Sequence, residues 1–424
     1  MADLKIRKDM LALLVCCALL IVGAVGMEWL KAEKEKKPIA IVTTFKDDPK
    51  TSRAFTWHTQ NGQAAAIVQI VEGENAADWE SAKVMTFTGT TEALDSEANV
   101  VQAAHKAEAT GLEPGTTYTY RVGSGKEKEW SDKATFKTEA AQEEAFTFIN
   151  VTDSQGITEQ DFELWGNTMD QAFATFPDSA FIVHNGDLTE EPADEQAWTH
   201  LFAKASKWVT RIPFMPVTGN HDEVDGEAGH FVSHFNLPVN GEEDSIEGTN
   251  YSFDYANVHF VFLNTESNIK KQTKWLRSDL ENSSQPWTVV AVHQGPYGGN
   301  TNKKVKDWTE LFDEFKVDLV LQGHNHEYSR SYPIRDGKVV GDGESAVNNR
   351  EGTVYVVTNA SGQKFNEKKE DQFYHKVHFQ NEKQMFAGIT VDGTTLTYQA
   401  YDVDGLMLDE FVLQHGLELK HKVG

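Results

Sequence analysis

The chain has 424 residues, more than one hydrophobic core usually serves, so two folded units are expected. With 39% hydrophobic and 25% charged residues it holds enough apolar material for a sizeable core, which excludes a disordered chain, a collagen-like chain and a polytopic membrane protein. Asp and Glu number 65 against 39 Lys and Arg, a formal net charge of −26, so the chain repels long polyanions, no nucleic-acid platform is expected, and any phosphate chemistry must gather cations locally.

Both cysteines, Cys16 and Cys17, fall in the uncharged stretch 10–27, which follows Lys5, Arg7 and Lys8. The folded body therefore has no disulfide framework, thiolate zinc site or cysteine nucleophile. Residues 10–27 read as a signal sequence, with Ala24-Val25-Gly26 suited to a signal peptidase, or as an uncleaved membrane anchor. Residues 1–37, which include the basic flank Lys31, Lys34, Lys36 and Lys37, then form the leader or anchor of a protein expected outside the cytoplasm, secreted or held at the cell surface.

From 38 to 138, short alternating runs at 40–44, 53–58, 65–70, 83–88 and 118–122 read as an all-β sandwich, with the turn-rich Thr110-Gly111-Leu112-Glu113-Pro114-Gly115-Thr116 before the last run. Residues 139–144 are polar and read as a linker. From 145 to 424, apolar strands interleave with amphipathic helices. One helix after Thr158 carries Phe162, Trp165, Met169 and Phe173 on one stripe, and another near 195–209 carries Trp198, Phe202 and Trp208. This alternation indicates a layered α/β body, and residues 352–413 are expected to finish it with further sheet.

Five strands of this second body end in metal-ligand residue types. They run into Asp153-Ser154-Gln155, Asn185-Gly186-Asp187, Gly219-Asn220-His221-Asp222, His293-Gln294-Gly295 and Gly323-His324-Asn325-His326. Ligands of α/β sheets collect beyond the carboxyl ends of strands, so five such endings can converge on one cleft. The donors are oxygens and imidazoles without thiolates, a set suited to zinc, manganese or iron. Glycines ahead of Asp187, Asn220 and His324 permit tight turns. One shared carboxylate can hold two cations about 4 Å apart, the spacing used in phosphoryl hydrolysis. Any one of these motifs is commonly a turn or a helix cap; their number and order carry the reading. His230 and His234, four apart, are a helical ligand spacing but read as a pocket wall or helix face, while His184 and His259 read as structural and Trp198 as a core residue that could border the cleft.

With these blocks in this order, the sequence resembles the calcineurin-like metallophosphoesterase superfamily, and within it the purple acid phosphatase-like branch. Asp48-Pro49, Trp57 and the run 111–123 are similar to the fibronectin-III-like N-terminal domain of that branch, and Phe235-Asn236-Leu237-Pro238 and Tyr251-Ser252-Phe253-Asp254-Tyr255 extend the likeness. The resemblance implies two mixed sheets flanked by helices behind the sandwich. It also implies two divalent or trivalent metal ions (Fe, Zn or Mn) and hydrolysis of small phosphate monoesters by direct attack of metal-bound hydroxide. Position by position, Asp187 would bridge both ions, Asp153 and His326 would hold the first, and Asn220, His293 and His324 the second. His221 would serve the leaving group, oriented by Asp222 or a neighbouring carboxylate. Two departures stand out. The tyrosine that the branch places three residues after the bridging Asp is Glu190 here, so no tyrosinate–iron colour is expected. Gln155 stands where the branch usually has Gly, and its amide oxygen could complete the first metal site or act from behind it. A phosphodiesterase or nucleotidase on the same centre, and a catalytically inert adhesion protein, are the alternative readings.

Overall fold

The computed structural model describes residues 37–416 apart from 61–63, 75–77, 82, 95–101, 143–144 and 349. The hydrophobic stretch 10–27 with its two cysteines lies outside the described residues. Among the described residues no helix is long and apolar enough to cross a membrane.

Alternation of apolar and polar residues builds the first unit. In the strand Ile67–Glu72, Val68 and Ile70 are buried while their neighbours are partly open, the period-2 pattern of a half-buried sheet. Two four-stranded antiparallel sheets face each other. Phe55, Trp57, Val68, Ile70, Tyr120, Val122 and Phe136 fill the space between them.

Continuous apolar runs build the second unit, as expected for strands covered on both faces. The strands Phe146–Val151, Ile182–His184 and Phe214–Pro216 run parallel, and the C-terminal strands Met385–Asp392, Thr395–Asp402 and Met407–Gln414 join them antiparallel in a seven-stranded sheet. A second seven-stranded sheet has Val258–Leu263, Trp287–Val292, Leu319–Gln322 and Val354–Val357 parallel at its centre. Phe148, Phe181, Phe260, Phe262, Ile389 and Tyr398 belong to one core that includes strands of both sheets. Helices α1 (Asp161–Thr175) and α2 (Glu195–Val209) feed Phe162, Trp165, Trp198 and Phe202 into that core; a short helix α3 spans Gly229–His234. Helices α4 (Ile269–Asn282) and α5 (Lys306–Phe315) cover the second sheet with Leu276, Trp308, Leu311 and Phe312 against Val261, Val290 and Val320. The two mixed sheets flanked by helices, behind an all-β unit, are the architecture expected from the sequence. The parallel strands of each sheet present their carboxyl ends together, which is where the ligand-type residues lie.

The two units share an apolar and hydrogen-bonded seam. Val42 and Phe45, from the strand Ile39–Thr44 and just beyond it, enter the core of the second unit. Tyr120 donates its hydroxyl to the Thr210 carbonyl at 2.6 Å. The segment read as a linker is anchored at its first residue. Glu139 is buried, accepts the Ala256 N–H at 2.9 Å, and is pushed up to about 7 by that burial.

Candidate metal centre

Three of the five strand tips turn sharply at their candidate ligands. Asp153, Asp187, His324 and His326 have φ of 50°, 56°, 72° and 50°, the left-handed region that non-glycine residues adopt at a cost of about 1–3 kcal/mol each. Of the three expected turn glycines, only Gly186 has a positive φ. Gly219 and Gly323 are needed for space instead: a Cβ on Gly219 would lie 2.2 Å from Asp187 Oδ1, and one on Gly323 2.3 Å from Thr152 Oγ1 and 2.8 Å from the Asn185 carbonyl oxygen. The correction is physical, since close approach of neighbouring oxygens to the backbone, rather than turn freedom, demands glycine at these two positions.

The turns gather donors into two groups that share one residue. Ligand atoms of Asp153, Asp187 and His326 lie within 4.8 Å of one another, and so do those of Asp187, His293 and His324. Asp153 Oδ1 is 3.1 Å from His326 Nε2, and Asp187 Oδ2 is 3.2 Å from His293 Nε2. Asn220 Oδ1 approaches the same His293 nitrogen at 3.3 Å. The six side chains named from the strand endings are therefore brought to one place.

Backbone carbonyls set the imidazoles. His293 Nδ1–H donates to the Asn185 carbonyl at 2.7 Å and His326 Nδ1–H to the Lys364 carbonyl at 3.0 Å, which leaves each Nε2 facing a carboxylate. A ring held through its far N–H in this way is oriented as a metal ligand requires. Burial alone would depress His293, but Asp187 beside it, with Asp153, raises it to about 10. Burial would likewise raise Asp153 and Asp187, yet His326 and His293 hold them below the ordinary carboxylate range. The centre is a buried concentration of negative charge that draws cations, protons or metals alike.

His221 and Asp222 do not form the expected pair. Asp222 is fully buried and accepts N–H bonds from Asp187 at 2.7 Å, Leu188 at 3.0 Å and Gly219 at 2.8 Å, so it ties two strand tips together. Burial, reinforced by Asp187, pushes it up to about 8. The His221 ring is held instead by the Glu190 carbonyl, which accepts from Nδ1 at 2.8 Å, and the His221 backbone N–H donates to Asp187 Oδ1 at 2.8 Å. This frees His221 Nε2. The Glu190 carboxylate, at the position where a tyrosine was missing, pairs with the Lys364 ammonium. Gln155 is buried, and its amide oxygen has no hydrogen-bond partner among the described residues.

Several contributors carry no motif. The loop after Val354–Val357 seats the centre: Ser361 and Gly362 donate N–H bonds to the carbonyls of Thr152 and Asp153, and Lys364 supplies the carbonyl behind His326. The Asn185 amide donates to the carbonyls of Val292 and Leu321, joining three strand ends. Asn185 could have been noticed beside Gly186-Asp187; Lys364 has no such signal. Tyr297 packs on Tyr355 and Tyr374. Trp198 is fully buried and stacks on His234 at 4.4 Å, and His184 packs on Trp165 and Phe214.

This fold, with two carboxylate–imidazole groups sharing an aspartate at the strand tips, is that of a metal-dependent phosphoesterase, and residues 146–328 match the family described as calcineurin-like phosphoesterase. Residues 38–138 match the family described as purple acid phosphatase, N-terminal domain. The chain belongs to the calcineurin-like phosphoesterases, in the purple acid phosphatase-like branch. A purple acid phosphatase from yellow lupin (Lupinus luteus) seeds has the same fold, at 18% identity and a TM-score of 0.77 over 90% of this chain and 75% of that one. Among curated relatives, acid phosphatase type 7 of Mus musculus is 24% identical over 61% of this chain and 64% of its own length. A probable inactive purple acid phosphatase 27 of Arabidopsis thaliana is 22% identical over 61% and 49%. The chain spans 35% to 65% of the length of the curated relatives it matches.

Proposed function

We propose that the protein is a dinuclear metal-dependent hydrolase of small phosphate monoesters, acting outside the cytoplasm. The observation that carries this reading is the pair of donor groups sharing Asp187. Asp153, His326 and the Gln155 amide oxygen would hold one ion, and Asn220, His293 and His324 the other. An unpartnered buried amide oxygen is costly, and a cation beside it would relieve that cost. Two bound ions of this class neutralise phosphoryl oxygens and bring water near its deprotonation at neutral pH.

The chain's own residues supply the rest. With the Glu190 carbonyl accepting from Nδ1–H, His221 Nε2 is left open, and in the imidazolium form it would donate its proton to the departing alkoxide. Asp222 keeps the Asp187 and Gly219 backbones in place. The complete donor set favours an active enzyme over the inert reading, although some relatives bear inactive names.

The test is hydrolysis of an aryl phosphate monoester and diester by the metal-loaded protein. Monoester turnover that disappears in Asp187→Asn and in His293→Ala is expected. Equal activity in either variant, or faster turnover of the diester, overturns the proposal or its monoester part. With Glu190 paired to Lys364, the iron-loaded protein is expected to show no tyrosinate absorption band.

A further inference from the structure

A second group of imidazoles and a carboxylate lies where the two units meet. His58 belongs to the strand Arg53–Thr59 of the first unit; Glu195 opens α2, and His230 and His234 stand one turn apart on α3. Glu195 Oε1 is 2.8 Å from His230 Nδ1, and Oε2 is 3.1 Å from His234 Nε2 and 3.8 Å from His58 Nδ1. His58, Glu195 and His234 are all buried, while the His230 side chain is 32% exposed. The helical pair His230 and His234 reads from sequence as a pocket wall; the fold gives it two further donors.

We propose that His58, Glu195 and His234 form a site for one divalent transition-metal ion, zinc by its donor set, that pins the two units together, with His230 bonded to the other oxygen of Glu195. Ligand atoms of these three lie within 4.8 Å of one another, and two imidazoles and one carboxylate without a thiolate suit zinc. Zinc bonds of about 2.0–2.2 Å in a tetrahedron space their donors roughly 3.3–3.6 Å apart, and the 3.1 Å and 3.8 Å separations bracket that range.

Hydrogen placement points the same way. The Ser233 carbonyl lies 3.4 Å from His58 Nε2 and can only accept, so that nitrogen carries the hydrogen. On a neutral ring Nδ1 is then a bare lone pair facing a carboxylate oxygen, two acceptors with nothing between them. Burial opposes charging the ring to mend this. A cation mends it, and an imidazole held through its other N–H by a backbone carbonyl is the usual setting of a metal-bound histidine. Among the described residues no lysine or arginine reaches Glu195; the nearby Lys106 ammonium bonds the Val232 carbonyl at 2.7 Å. His234 Nδ1 is buried without a partner, so nothing on its far side fixes its tautomer. The rings of His58 and His234 stack at 4.1 Å, 13° from parallel. Since metal–nitrogen bonds lie in the ring plane, capture of the ion swings one ring out of that stack.

The test is zinc content. Full-length protein and its Glu195→Gln, His58→Phe and His234→Ala variants are stripped with chelator, dialysed against zinc, and assayed for metal per chain, with circular dichroism as the check of folding. Wild type is expected to hold one zinc more than each folded variant, with phosphatase activity of the reloaded variants within twofold of wild type. If the buried variants fail to fold, wild type decides, with three zinc ions per chain expected, two from the strand-tip centre and one from the seam. Two or fewer zinc ions per wild-type chain, or equal zinc in wild type and a folded variant, overturns the proposal, and equal zinc with a lowered melting temperature marks a hydrogen-bonded clasp without metal.

Discussion

The strand-tip centre and the seam between the units are both built from imidazoles around carboxylates, yet they are held in different ways. At the strand tips the aspartates and imidazoles have their own backbone devices: a left-handed turn, a glycine that leaves room for a carboxylate, or a carbonyl behind a ring. At the seam one carboxylate, Glu195, gathers three rings from two elements, and among the described residues only His58 has a carbonyl partner behind it. Stored strain and dense backbone bonding suit a site that must keep two cations in fixed register. A seam needs only to stay closed.

This contrast can be tested by substitution, and the largest effect belongs to the shared ligand. Asp187→Asn is expected to lower the rate of phosphate-ester hydrolysis by roughly 10³-fold. His58→Phe is expected to leave that rate within twofold while lowering the melting temperature and the zinc content by one ion per chain. A large rate loss in His58→Phe erases the distinction between the regions.

Asp222→Asn comes next. The amide has one oxygen where three N–H groups need acceptors, and its NH₂ faces donors. Metal affinity of the centre should fall by about 10–100-fold, read by competition with a chelator. Unchanged affinity would show that the strand tips hold without their tie.

A third prediction concerns a buried histidine that is neither ligand nor seam. His259 sits between Asp254 at 2.7 Å and Asp279 at 2.8 Å. Burial would lower it, but the two aspartates raise it to about 9. A raised folded value means stability that is complete below the unfolded value of about 6.5 and lost as pH rises through about 9, on the order of 2 kcal/mol. Denaturant midpoints measured from pH 6 to 10 should show this decline in wild type and lack it in His259→Gln. A decline of the same size in the variant contradicts the assignment.

The smallest effect is expected from Lys364→Met. Its ammonium pairs with Glu190 near the surface, so the loss should be below about 1 kcal/mol in stability. The Lys364 carbonyl behind His326 survives the substitution, so metal content should not change. Loss of metal would mean that the side chain, and not the backbone, seats the loop.

The strand-tip ligands are legible in the sequence because each sits in a short local pattern, an apolar run followed by Asp, Asn or His. The seam is not, because residues 58, 195, 230 and 234 belong to three elements of two units with no common spacing. The same holds for Asp222: its residue type suggests a partner for the adjacent His221, but its direction, toward the Asp187 and Gly219 amides, depends on how two turns pack. Helices α4 and α5 carry a readable apolar stripe at Leu276 and Leu280 and at Trp308, Leu311 and Phe312. Their place over the second sheet depends on the sheet itself.

What the sequence by itself determined is local: the alternating run of the first unit, the buried runs and amphipathic helices of the second, and the order of donor residues at strand ends. These follow from backbone periodicity and from the side chains available to a cation. Tertiary structure alone decided that Gly219 and Gly323 make room rather than turn, that carbonyls of Asn185, Glu190 and Lys364 aim three imidazoles, and that His58 meets Glu195. Every residue carries a carbonyl, so residue type says nothing about which one will be used; only packing brings a particular acceptor within hydrogen-bond reach.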